Sequence, residues 1–158
     1  MKTNDTKLQK FMEVAGTVLM ATYLFFMLLV WVDVPELIPV HFDISGMADR
    51  WGSRMELILV FLVAILLYAG LTWITRHPQH WNVPSAKDED HEAHVYRTTK
   101  SMLIAIKVEL LVTFFYISVS QVMVRDLHAA YLPSYLTILF GTLAYFLIRM
   151  YRIPNKVS

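Results

Sequence analysis

The sequence predicts an all-α integral membrane protein: four transmembrane helices, with a structured external loop between the first two. Three observations predict it. Of 158 residues, 56% are apolar and 17% are Asp, Glu, Lys or Arg, where a soluble domain carries about 25% charged residues. Mean hydropathy is +0.47. The charges are also segregated, leaving uncharged runs of about the 20 residues that cross a bilayer core.

The first run is Val14–Val32, 19 residues without a charge, and predicts a helix over about 11–32. Its charged start resembles a signal peptide, but the run exceeds the usual apolar length and ends at Trp31-Val32-Asp33-Val34-Pro35 without a small-residue cleavage site. A retained anchor is expected. The second run, Leu57–Thr75, also has 19 residues and predicts a helix over 54–75. Ser53-Arg54-Met55-Glu56 has the pattern of a capping box ahead of it. Leu110–Val124 gives 15 uncharged residues, so a full third span over 102–124 must include Lys107 and Glu109. Ala129–Ile148 predicts the fourth, over 132–151, with Pro133 in its first turn.

Counting Lys and Arg sets the orientation. Ten lie on one side: Lys2, Lys7, Lys10, Arg76, Lys87, Arg97, Lys100, Arg149, Arg152 and Lys156. Three lie on the other, Arg50, Arg54 and Arg125. Both termini and the loop 76–101 are therefore expected in the cytoplasm of a bacterial inner membrane, with loop 33–53 outside. A net charge of +1 gives no electrostatic footprint for nucleic acid. The absence of cysteine removes disulfides, thiolate nucleophiles and iron–sulfur ligation.

The external loop holds most of the information. Between its prolines the chain is extended, Val40–Ile44 alternates like a short strand, and Ser45-Gly46 signals a turn. A loop of this kind is folded. The stretch Pro35-Glu36-x-Ile38-Pro39-x-His41-Phe42-Asp43-x-x-Gly46-x-x-Asp49-Arg50-Trp51-Gly52-Ser53 resembles the signature loop of the bacterial membrane family called domain of unknown function 1648. That domain also forms the amino-terminal part of the SdpI-like toxin-immunity proteins. The likeness continues through His77-Pro78, Trp81-Asn82-x-Pro84, Tyr96-Arg97 and Lys107-x-Glu109. The resemblance implies a non-enzymatic protein giving immunity to a peptide toxin, or signalling through the external loop to a cytoplasmic regulator.

On this reading the loop binds a ligand or partner through His41, Phe42, Asp43, Gly46, Asp49, Arg50 and Trp51. Phe42 and Trp51 are the apolar anchors. A second reading gathers His41, Asp43 and His128 around a divalent metal such as zinc, as in a metal-dependent enzyme. The plainer alternative is that His41 and Asp43 satisfy backbone groups in a compact loop, with Asp49 and Arg50 holding its turn. Otherwise no cofactor is expected.

The remaining polar candidates lie elsewhere. His77 and His80 straddle a proline, and His91 and His94 miss the zinc-protease spacing by one residue, so solvated roles are expected. Lys107 and Glu109 point about 200° apart on a helix. Glu13, Lys10 and Arg149 lie near the same cytoplasmic interface and are the partners expected for them in an intramembrane network, which is structural if Lys107 snorkels to the headgroups and Glu109 meets Arg149 or Lys10. A small oligomeric transporter relying on Glu109 is the third functional reading. Ser118, Ser120 and Gln121 are expected to bond between helices.

Overall fold

A computed structural model describes residues 5–84 and 88–152; Lys2, Lys87 and Lys156, used in the orientation count, lie outside these. The chain runs α1 (Lys7–Val30), β1 (Leu37–Phe42), β2 (Ala48–Ser53), α2 (Met55–Arg76), α3 (Glu89–Val122) and α4 (Tyr131–Tyr151), with single 3-10 turns at Trp31–Asp33 and Pro78–His80. All four helices are long and apolar enough to cross a bilayer. The protein is a multi-pass membrane protein.

Helix α1 starts four residues before its expected position. Thr6 caps it reciprocally with Gln9: the Thr6 hydroxyl accepts from the Gln9 amide at 3.1 Å, and the Gln9 side chain accepts from the Thr6 amide at 2.9 Å. This Thr-x-x-Gln capping box is plain in the sequence. The box expected at Ser53 does not close. Its hydroxyl takes the amide of Met55 at 3.2 Å, while Glu56 turns to the Arg50 guanidinium at 3.3 Å.

Helix α3 is the axis of the molecule and packs against each of the other three. Its 34 residues measure about 51 Å at 1.5 Å per residue, well beyond a hydrocarbon core of about 30 Å. The expected loop 76–101 is accordingly helical from Glu89 onward. Asp88 caps the start by accepting from the His91 amide at 2.8 Å, and three acidic residues in the first turn complement the helix dipole. The protruding turns are held by Gln9, which donates to the Arg97 carbonyl at 3.1 Å and the Ser101 hydroxyl at 3.0 Å. His91 is therefore buried rather than solvated, and His94 Nε2 lies 2.8 Å from the Arg149 carbonyl.

The core gathers towards one end of the bundle, around Tyr23, Met27, Leu57 and Ala64, and Val34 and Ile38 close over it. The Tyr23 ring meets Phe61 edge-on at 4.8 Å. Its hydroxyl lies 2.5 Å from Ser118, which is the expected bond between helices. Ser120 Oγ and Gln121 Oε1 have no partner among the described residues, so these two oxygens do not make the expected bonds between helices.

Candidate functional site

The two strands form an antiparallel hairpin that caps the core end of the bundle. Leu37 pairs with Ser53, Ile38 with Gly52, Pro39 with Trp51, His41 with Arg50 and Phe42 with Ala48. The register shifts on both sides of His41 leave Val40 and Asp49 as extra residues, and such bulges twist a hairpin and re-aim its side chains. Ile38 is fully buried while Trp51 is 48% exposed. One face of the hairpin therefore seals the core and the other faces outward.

The turn is built by Asp43 and Gly46. One Asp43 carboxylate oxygen accepts from the Ser45 hydroxyl at 2.7 Å, the Ser45 amide at 2.9 Å and the Met47 amide at 2.9 Å. The Ser45 hydroxyl foremost, then these amides, hold the Asp43 carboxyl below its ordinary range. A depressed folded value means that this turn gains its full stability above the ordinary carboxylate range of about 3.9 and loses it as pH falls through the folded value. In amide NMR, Ser45 and Met47 are expected to hold their shifts at pH 5 and move together only below the ordinary range. Asp43→Asn is expected to abolish that step.

Gly46 has φ +86°, a left-handed conformation that glycine adopts at little cost. It is also pressed against the connection between α3 and α4. A Cβ there would lie 2.6 Å from the Leu127 carbonyl oxygen. The Leu127 amide donates to the Gly46 carbonyl at 2.9 Å, and Asp126 accepts from the Ala48 amide at 2.8 Å. Leu127 itself is buried. The hairpin tip is thus clamped at backbone level.

The clamp begins where α3 ends. Arg125 N–H bonds the Ser120 carbonyl and Val124 N–H bonds the Gln121 carbonyl, both at 3.1 Å, the paired pattern of a Schellman stop. Val124 occupies its left-handed position at φ 51°, where a β-branched residue is strained. Past it, the His128 amide donates to Tyr116 at 3.2 Å, and the Tyr116 ring packs at a tilt against Tyr131 with centroids 4.2 Å apart.

His41 Nδ1 lies 2.6 Å from Asp49, and both side chains are about half exposed. Ile44, Met47 and Trp51 are exposed apolar groups around them. The structure does not gather His41, Asp43 and His128: His41 is held by Asp49, Asp43 by its own turn, and His128 Nδ1 accepts from the Ala130 amide at 3.2 Å. Among the described residues no three His, Cys, Asp or Glu side chains form a metal-holding group. Sequence reasoning missed Leu127 and the contact of Asp126 with Ala48, since both join segments some 80 residues apart.

The intramembrane network brings Glu13 to Lys107, one of the partners expected, and differs in the rest. Lys107 does not snorkel; its side chain is fully buried, with Nζ 2.7 Å from Glu13 and 3.2 Å from the Thr72 hydroxyl. The Tyr68 ring faces the ammonium at 5.3 Å. Glu109 meets neither Arg149 nor Lys10. It accepts from Thr142 at 2.5 Å, and Arg149 donates to Tyr145 at 2.9 Å.

Residues 18–73 match one family model. Its description is "Domain of unknown function (DUF1648)". The DUF1648 segment takes in the second half of α1, the whole hairpin and most of α2. The α3–α4 connection that clamps the hairpin lies outside it. An uncharacterized protein of Archaeoglobus fulgidus is 42% identical over 66 residues, 37% of this chain and 36% of that protein. The match thus spans little more than a third of the relative's length. No solved structure matches the chain.

Proposed function

We propose that this protein is a non-enzymatic bacterial inner-membrane receptor of the SdpI-like type, with both termini in the cytoplasm and the hairpin outside. The hairpin is its recognition surface, and an external peptide, such as a toxin to which it confers immunity, is its ligand. One observation carries the reading: the tip is clamped by Gly46 and Leu127, so Ile44, Met47 and Trp51 are held open with little freedom left to lose on binding. The apolar trio suits an amphipathic peptide. The His41–Asp49 pair and Arg50 supply polar contacts at its rim.

Serine at Ile44, Met47 and Trp51 together leaves the clamp and the core untouched. A deletion strain complemented with that triple variant is expected to be as sensitive to spent medium of its own species as the empty deletion strain, with membrane levels of the protein unchanged. Full protection by the variant contradicts the proposal.

A further inference from the structure

At the end of the bundle opposite the hairpin, the start of α1 and the end of α2 line a groove of about 520 Å³. Both carboxylates in its wall are already paired, Asp5 with Lys100 and Glu13 with the buried Lys107. Lys10 and Arg76 also line it and are exposed, and neither side chain has a hydrogen bond or ion pair among the described residues. The groove therefore keeps two unmatched positive charges, one from each helix. They lie at one level. Lys10 stands four residues before the uncharged run of α1, and Arg76 directly follows that of α2, so both mark the depth where hydrocarbon meets headgroups.

Below the cations the wall turns apolar. Lys10, Val14 and Val18 follow at four-residue steps down one face of α1, and both valines are exposed in the groove. Helices α1 and α2 each pack on α3 and hardly on one another, which leaves the cleft open sideways to the bilayer. The Thr17 hydroxyl lies 2.9 Å from that of Tyr68 and ties the two helices together about two turns deeper than Lys10 and Arg76. Two cations at headgroup level above an apolar row are complementary to a phosphate joined to an acyl chain. A zwitterionic headgroup brings its own ammonium to the same level, so a net negative one fits better. We propose that this groove binds an anionic phospholipid, its phosphate between Lys10 and Arg76 and one acyl chain along Val14 and Val18. The site is separate from the hairpin and does not depend on the receptor reading.

Phosphatidylglycerol is the probe, raised stepwise in phosphatidylcholine nanodiscs that hold the full chain, while the methyl signals of Val14 and Val18 are followed by NMR. Both are expected to shift saturably, whereas Ile148, exposed on α4 at the same end of the bundle, moves far less. Phosphatidylethanolamine in the same steps, and glycerol 3-phosphate added in solution, are expected to give no saturable shift. Because Lys10 and Arg76 bond no other side chain, the double variant Lys10→Gln with Arg76→Gln is expected to keep the fold. It should weaken the response about 25-fold, or about fivefold for each basic group lost. Arg97→Gln with Arg149→Gln removes two cations at the same end but outside the groove, and should leave the response nearly unchanged. An equal response to glycerol 3-phosphate, an undiminished response without Lys10 and Arg76, an equal loss without Arg97 and Arg149, or no saturable shift in the wild-type protein overturns the proposal.

Discussion

Replacing Glu13 with alanine is expected to destabilise the bundle by about 3–5 kcal/mol, the cost of breaking a buried ion pair from one side. The reason lies in the asymmetry of the pair. Glu13 is a quarter exposed, whereas the Lys107 side chain is fully buried, so removing the carboxylate leaves the ammonium without its counter-charge. Thr72 and the Tyr68 ring remain, but neither carries a negative charge. Lys107→Met strands only the more exposed partner and is expected to cost less. The double variant Glu13→Leu with Lys107→Met removes both charges and is expected to recover most of the loss, because matched apolar replacement of a buried pair is often near neutral. Unfolding in detergent with increasing dodecyl sulfate measures all three. Additive losses in the double variant would show that the pair is not coupled.

Gly46→Val is the second large effect, and its consequence is local. Backbone strain at φ +86° costs about 1–3 kcal/mol, and the new Cβ would meet the Leu127 carbonyl oxygen at 2.6 Å. Backbone cannot step aside as a flexible side chain can. The tip is therefore expected to leave the α3–α4 connection, with the amides of Leu127 and Ala48 losing hydrogen-exchange protection while those of α1 and α2 keep theirs. Gly70 is the control: nothing lies within 4 Å of its Cβ position, so alanine there is expected to be neutral or stabilising by about 0.5–1 kcal/mol.

The helices could be read from the sequence because crossing a membrane is a one-dimensional requirement of length and low charge. Three of the four expected spans agree with α1, α2 and α4 to within a few residues. Hydropathy alone ends a span where the bilayer ends, but the acidic run Lys87–Glu92 reads as the first turns of a helix leading into the third span, and α3 does start at Glu89. The hairpin was legible only in part. Val40–Ile44 alternates, but Ala48–Ser53 carries Ala, Asp and Gly, residues depleted in strands, and becomes β2 because its amides must pair with β1.

Side-chain partners were the least legible feature. Spacing showed that Lys107 and Glu109 diverge, yet it could not show that α1 brings Glu13 to one side and α4 brings Thr142 to the other. Arg149 was a reasonable partner for Glu109 by charge. It lies seven residues, about two helical turns, beyond Thr142, and bonds Tyr145 instead. Val124 shows the same limit: a Schellman stop ordinarily carries glycine, so a valine there gives no sequence signal for the turn that presents Asp126 and Leu127.

The central claim is that the clamped hairpin faces outward as a recognition surface. Because the chain contains no cysteine, one introduced thiol reports its own position. Ile44→Cys at the exposed tip is expected to react with a membrane-impermeant maleimide on intact cells, and Gln79→Cys, in the turn before α3, only after the membrane is permeabilised. The opposite pattern, with Gln79→Cys labelled from outside and Ile44→Cys protected, would contradict the account.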